Sequence, residues 1–221
     1  MDIACYQRHT VLSYRRPGAK IRQRNVTIFR NVLWHNKRDE NMNSNQELLI
    51  LVNENDDIYG YETKKKCHQG DGLLHRAFSI FIFNNQKQLL IQKRGLKKPL
   101  WPSYWSNSVC SHPRKGETYE EATVRRLREE LGIETQLDFL FKFTYQVRFK
   151  HIGSEYELCS VYIGKTDEHI KANPHEIAEW KCIDFEKINM DIMRHPQRYT
   201  PWFKIEWEHI KKHYQTNIRN L

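Results

Sequence analysis

Long apolar runs are missing from this chain. No stretch approaches the roughly 18 consecutive apolar residues that a membrane-crossing helix needs. The first residues also lack the apolar core and small-residue end of a secretory leader, so the expectation is a soluble, cytoplasmic protein with no membrane partner. Cysteine is scarce. The five thiols, Cys5, Cys67, Cys110, Cys159 and Cys182, cannot all pair within one chain, and no two stand in C-x-x-C spacing. That excludes a zinc ribbon or redox dithiol of that spacing and points to free thiols in a reducing compartment. Internal repeats are absent too, which excludes a solenoid or propeller. Acidic residues are few in residues 1–45, where nine Lys or Arg face three acids, so that segment carries +6 of the net charge of +9. The excess charge belongs to a tail and not to a face of the core, and nucleic acid is not the expected partner.

What remains is enough for one substantial domain. At 221 residues with 39% hydrophobic and 12% aromatic content, the chain can bury a core. Residues 1–46 show no sustained period and end in the Asn-rich stretch 41–45. They are read as a basic, poorly ordered extension, with the domain over 47–221. Leu48–Val52 and Tyr59–Tyr61 bracket a polar turn, and Ala77–Phe83 and Leu89–Gln92 flank Asn84-Asn85, so two hairpins are predicted. Further strands are expected over 137–149, 155–163 and 176–183, with a closing helix over about 201–214. Thr118 precedes Glu121 at capping-box spacing and Gly132 supplies a stop, which predicts a helix over 119–131. Strands around a few helices, without strict alternation, indicate an α+β or α/β sandwich rather than a doubly wound parallel sheet.

On that helix Arg125, Arg126, Glu129 and Glu130 form a mixed-charge surface beside the turn 111–116. Carboxylates there suit Mg²⁺ bridging to phosphate, and equally suit a solvated helix face. Glu155-Tyr156-Glu157 has the period of a strand, which directs both carboxylates to one side. Cys110 stands between the polar Ser106-Asn107-Ser108 and His112-Pro113, a setting for a reactive thiol as well as for a buried one. His68 and His75, taken alone, read as surface histidines.

The stretch from Ser111 to Ile133 resembles the Nudix box, G-x5-E-x7-R-E-U-x-E-E-x-G-U with U apolar. Glu117, Arg125, Leu127, Glu129, Glu130, Gly132 and Ile133 match it. Ser111 replaces the first Gly, and Arg126 replaces the first Glu of R-E-U. That second exchange removes a carboxylate and reverses its charge, which weakens the case for metal-activated hydrolysis. Just upstream, Trp105-Ser-Asn-Ser-Val-Cys-Ser-His-Pro113 is similar to the type I isopentenyl-diphosphate isomerases, and the likeness extends from about Leu48 to the final helix.

This resemblance implies a Nudix-like fold, a mixed sheet flanked by helices. It implies interconversion of isopentenyl and dimethylallyl diphosphate in isoprenoid synthesis, by protonation and deprotonation through a tertiary carbocation. Carried over by position, His68, His75, His112, Glu155 and Glu157 are the ligands of a divalent ion, Mn²⁺, Mg²⁺ or Zn²⁺. Cys110, Glu157 and Tyr145 are the acid/base residues, and Trp202 shields the cation. Lys64, Arg94, Lys98 and Arg126 are the diphosphate contacts, while Glu130 and the main chain at Cys110 hold a Mg²⁺ on the diphosphate. The family likeness is compatible with a monomer or weak dimer. The competing expectations are a Nudix hydrolase of nucleoside diphosphate derivatives, and a binder of nucleic acid or anionic surfaces through the basic extension.

Overall fold

The computed structural model describes residues 47–221. The basic extension read over 1–46 lies outside the described residues. The described residues begin with the expected hairpin, β1 (Leu48–Val52) and β2 (Ile58–Thr63), followed by a short helix α1 (Lys64–Cys67). Thr63 caps α1 by accepting a hydrogen bond from the Lys66 amide. β3 (His75–Phe83) and β4 (Leu89–Arg94) follow. Two very short strands, β5 (Trp105–Ser106) and β6 (Val109–Ser111), lead into α2 (Tyr119–Leu131). A long hairpin, β7 (Leu137–Phe149) and β8 (Gly153–Lys165), precedes β9 (Ile177–Ile183), and the chain closes with α3 (Phe185–Arg194), α4 (Pro201–His213) and α5 (Gln215–Asn220).

The second predicted hairpin exists only at its base, where Phe83 faces Leu89. β3 instead lies parallel to β8 along its whole length, from His75 opposite Glu157 to Phe83 opposite Lys165, and antiparallel to β6 on its other side. The sheet is therefore mixed. β3 is buried at nearly every position because both of its faces are covered. Phe78, Ile80 and Ile82 pack with Ala122, Leu127 and Leu131 of α2. Ala77, Phe81 and Phe83 belong to the opposite core, with Phe203, Trp207 and Ile210 of α4. Each fully buried Leu, Ile or Phe in these layers contributes about 1.5–3 kcal/mol.

Helix α2 starts and stops where its sequence signals predict. The Thr118 hydroxyl accepts from the Glu121 amide at 3.2 Å, and the Glu121 carboxylate accepts from the Thr118 amide at 2.9 Å. Gly132 ends the helix with φ +67°, a left-handed turn that glycine adopts without penalty. Helices α1, α3 and α5 and strands β5 and β6 lie outside the elements the sequence predicts. The two strands are too short to show alternation, and their polar residues hide their burial.

Candidate active site

Strand register brings the site together. Tyr145 on β7 lies directly opposite Glu157 on β8, and Glu157 lies opposite His75 on β3, so three neighbouring strands present these side chains in one row. On the other flank of β3, Cys110 of β6 faces Ser79. Glu155 follows from the same face of β8. His68 comes from the end of α1 and His112 from the turn after β6.

One ligand atom from each of His68, His75, His112, Glu155 and Glu157 lies within 4.8 Å of all the others. The imidazoles are preset. His68 Nδ1 and His75 Nδ1 each stand 2.6 Å from a backbone carbonyl, those of Lys64 and Leu73, and a carbonyl accepts only from a protonated nitrogen. Their Nε2 lone pairs are thereby aimed inward. His75 Nε2 is buried with no hydrogen-bond partner. Glu155 Oε2 is 2.7 Å from His68 Nε2 but is not aligned for a hydrogen bond. Such orphaned, converging acceptors fit a divalent cation.

Burial keeps the imidazoles of His75 and His112 neutral, as metal ligation requires. It pushes His75 down to about 3, and, helped by the neighbouring histidines, places His112 well below its usual range. The two carboxylates diverge. Burial opposes ionisation of Glu155, but the neighbouring His68 imidazole and Arg94 guanidinium outweigh it and bring the group down. Burial and the adjacent Glu155 push Glu157 well above the usual carboxylate range. Glu157 Oε1 is 2.8 Å from His112 Nε2, and its Oε2 accepts from the Tyr145 hydroxyl at 2.6 Å. Burial, reinforced by Glu157, also holds the Tyr145 hydroxyl protonated.

His68, His112, Glu155, Glu157 and Tyr145 line a cleft of about 430 Å³ that also contains Cys110, Trp202, Lys64, Arg94, Lys98 and Arg126, with His75 buried behind it. Burial pushes the Cys110 thiol up to about 12, against the pull of the Arg94 guanidinium, whose Nη1 donates to Sγ at 3.7 Å. Trp202 is fixed by its indole N–H, which donates to Ser106 Oγ at 3.1 Å. The polar run ahead of Cys110 is thus a buried support. Asn107 Nδ2 donates to the Val109 carbonyl at 2.7 Å, and Ser108 Oγ donates to the Leu90 carbonyl at 2.6 Å.

The four cations have different partners. Lys98 and Arg126 share the carboxylate of Glu176, and Lys64 is close enough that burial and their like charge lower its basicity. Arg94 instead donates to the carbonyls of Leu100 and Trp101 at 2.9 and 3.1 Å, and its guanidinium lies 5.1 Å from the Trp202 ring centroid. Arg126, the departure from the box, donates to Glu129 Oε2 at 2.7 Å and to Glu130 Oε1 at 3.1 Å, and the other Glu130 oxygen accepts from Gln92 at 3.1 Å. The mixed-charge face of α2 is therefore an ordered ion-pair network at its inner edge, with Glu130 2% exposed.

Several residues of this site escaped sequence reasoning. Gln92 lies in the unremarkable strand β4, and Glu176 in the turn just before β9. Trp101 adopts φ +46°, rare for an aromatic residue, and so directs its carbonyl at Arg94; the Trp101-Pro-Ser-Tyr-Trp105 run was the available hint. Beneath the row, Glu206 of α4 is fully buried, with Oε1 3.6 Å from Cys159 Sγ and Oε2 without a partner, and burial pushes its carboxyl up to about 8.

The NUDIX domain family model matches residues 73–203. A protein named isopentenyl-diphosphate Delta-isomerase 1 from Photorhabdus laumondii is 43% identical over 74% of this chain and 94% of its own length. One named isopentenyl-diphosphate Delta-isomerase from Serratia proteamaculans is 40% identical over 71% and 87%. Among solved structures, the DR0079 protein of Deinococcus radiodurans superposes with a TM-score of 0.55 at 27% identity, covering 67% of this chain and 90% of that one. A MutT protein from Methanosarcina mazei, at 17% identity and a TM-score of 0.54 over 64% and 96%, shares the fold. Cleft, sheet and sequence agree: this chain belongs to the isopentenyl-diphosphate Delta-isomerase family, built on the NUDIX fold.

Proposed function

We propose that this protein interconverts isopentenyl and dimethylallyl diphosphate by proton addition and removal. The observation that carries this reading is the Tyr145–Glu157 pair, 2.6 Å apart and buried, in a cleft that also presents the Cys110 thiol. Protonated Glu157, backed by Tyr145, donates a proton to the terminal CH₂ carbon of isopentenyl diphosphate. The electron pair of the double bond forms the new C–H bond and leaves a tertiary cation. Cys110, as thiolate, then takes a proton from the neighbouring CH₂, whose C–H electrons become the new double bond. Burial opposes the thiolate and the adjacent Arg94 favours it. General acid–base steps of this kind contribute about 10²–10⁴-fold each.

The remaining groups suit the intermediate and the anion. Trp202 already faces a guanidinium, so its ring is placed to receive positive charge. Apolar walls, including Leu100 and Ile152, limit water that would trap the cation as an alcohol. Lys64, Arg94, Lys98 and Arg126 are the cations that grip the diphosphate, and Glu130 with the Cys110 main chain would hold a Mg²⁺ that offsets its charge. His68, His75, His112, Glu155 and Glu157 would hold a second divalent ion, Mg²⁺, Mn²⁺ or Zn²⁺, whose charge makes the Glu157–Tyr145 pair a stronger proton donor. The competing hydrolase reading lacks support, because Arg126 stands where a carboxylate is needed and ion-pairs Glu130.

Isomerisation assays on Cys110→Ala and Glu157→Gln test the assignment. Each variant should fold normally and lose at least about 10²-fold in kcat. Double-bond migration at the wild-type rate in either would remove that residue from the mechanism.

A further inference from the structure

Glu176 precedes β9 and takes no part in the chemistry above, yet its carboxylate lies among the cations of the diphosphate grip. Its Oε2 pairs with Lys98 Nζ, and its Oε1 is 3.3 Å from Arg126 Nη2. Burial opposes its charge, but Lys98 and Arg126 overcome that and bring the group down to about 2, so it is an anion throughout the physiological range. Its backbone is tied to the same loop. The Gly95 amide donates to the Glu176 carbonyl at 2.8 Å, and a Cβ at Gly95 would stand 2.9 Å from that oxygen. The turn carrying Arg94 and Lys98 is therefore docked on Glu176.

Arg126 also pairs with Glu129 and Glu130 on its own helix, and Glu130 differs from Glu176 in one respect. Glu130 is 2% exposed and its other oxygen is engaged by Gln92, so it cannot withdraw without leaving polar groups unpaired. The Glu176 side chain is 24% exposed, with water available on one side. A carboxylate that neutralises two cations at the rim, and can be solvated when they are taken from it, behaves as an exchangeable anion.

We propose that Glu176 is the resident counter-ion of the diphosphate grip, a positioning residue that holds Lys98 and Arg126 in place in the empty site and yields Lys98 when diphosphate oxygens arrive. Binding is then an exchange of anions. It weakens the affinity for substrate and product alike, and speeds release of the product. The inference rests on the reading of Lys64, Lys98 and Arg126 as diphosphate contacts.

The test is calorimetry with inorganic diphosphate and Mg²⁺, together with steady-state kinetics on isopentenyl diphosphate, for the wild type, Glu176→Gln and Glu176→Asp. Removing one partly screened charge near the ligand should tighten diphosphate binding by about tenfold in Glu176→Gln, an effect that shrinks with added salt. KM should fall alongside, and kcat should not rise. Glu176→Asp, which keeps the charge, should stay within about threefold of the wild type. Unchanged Kd and KM in Glu176→Gln, or equal tightening in both variants, would overturn the proposal. A wild type that neither binds diphosphate nor isomerises the substrate would overturn the functional reading itself. A crystal structure of the wild type with Mg²⁺-diphosphate needs no variant to fold. Lys98 Nζ and the Glu176 carboxylate should separate beyond the roughly 4 Å of an ion pair, and an intact pair beside bound diphosphate would refute the exchange.

Discussion

Glu206 gives the structure a pH-dependent weakness of calculable size. It sits on α4 beneath the Tyr145–Glu157–His75 row, fully buried, touching Cys159 and with one oxygen unpartnered. Burial raises its carboxyl from the ordinary 4.5 to about 8. Because the folded value lies above the unfolded one, the native state keeps a proton that the unfolded chain releases. The group costs nothing below about pH 4.5, and the fold loses about 1.4 kcal/mol per pH unit from there until about pH 8. Between pH 5 and pH 7 the loss amounts to about 2.5 kcal/mol, or roughly 5–10 °C in Tm for a chain of this size. Glu206→Gln keeps the shape and removes the titration. Thermal denaturation of both proteins at the two pH values, at one fixed divalent concentration, isolates the effect. The variant's Tm advantage over the wild type should grow by about 5–10 °C from pH 5 to pH 7. An advantage that is the same at both pH values would show that Glu206 is not held protonated, and the reasoning would fail.

Two other substitutions probe the chemistry. Tyr145→Phe removes the hydroxyl bonded to Glu157 at 2.6 Å, and should lower kcat by about 10²-fold while leaving KM within a few-fold; an unchanged kcat would exclude Tyr145 from proton transfer. Trp202→Leu keeps an apolar wall but loses the ring face, and should reduce kcat about tenfold, in line with roughly 1–2 kcal/mol for a desolvated cation over an aromatic ring. A loss confined to KM would mean that Trp202 only shapes the pocket.

Much of the fold was legible because its signals are local. The capping box at Thr118 and Glu121 and the stop at Gly132 set α2 within the chain's own hydrogen bonding, and β7 was read end to end over 137–149. The partner of β3 was not legible. Its apolar run is compatible with any buried strand, and only the parallel alignment with β8 across more than 70 residues decides the register that sets His75 beside Glu157. The same limit governs the site. His68, His75, His112, Glu155 and Glu157 could be named from motif likeness, and the structure brings all five together. Glu176 could not, because its role depends on where Lys98 and Arg126 arrive in space. Glu206 gave no sign either, since a glutamate on a C-terminal helix ordinarily faces water, and its burial follows from the packing of α4 against β3 and β8.

Proton chemistry at this cleft is tested most directly by NMR of the purified protein with isopentenyl diphosphate and Mg²⁺ in D₂O. The account predicts that dimethylallyl diphosphate accumulates with deuterium in the new methyl group, delivered by exchanged Glu157 and Tyr145. Dimethylallyl product free of deuterium, or no conversion with diphosphate or phosphate released instead, would contradict it.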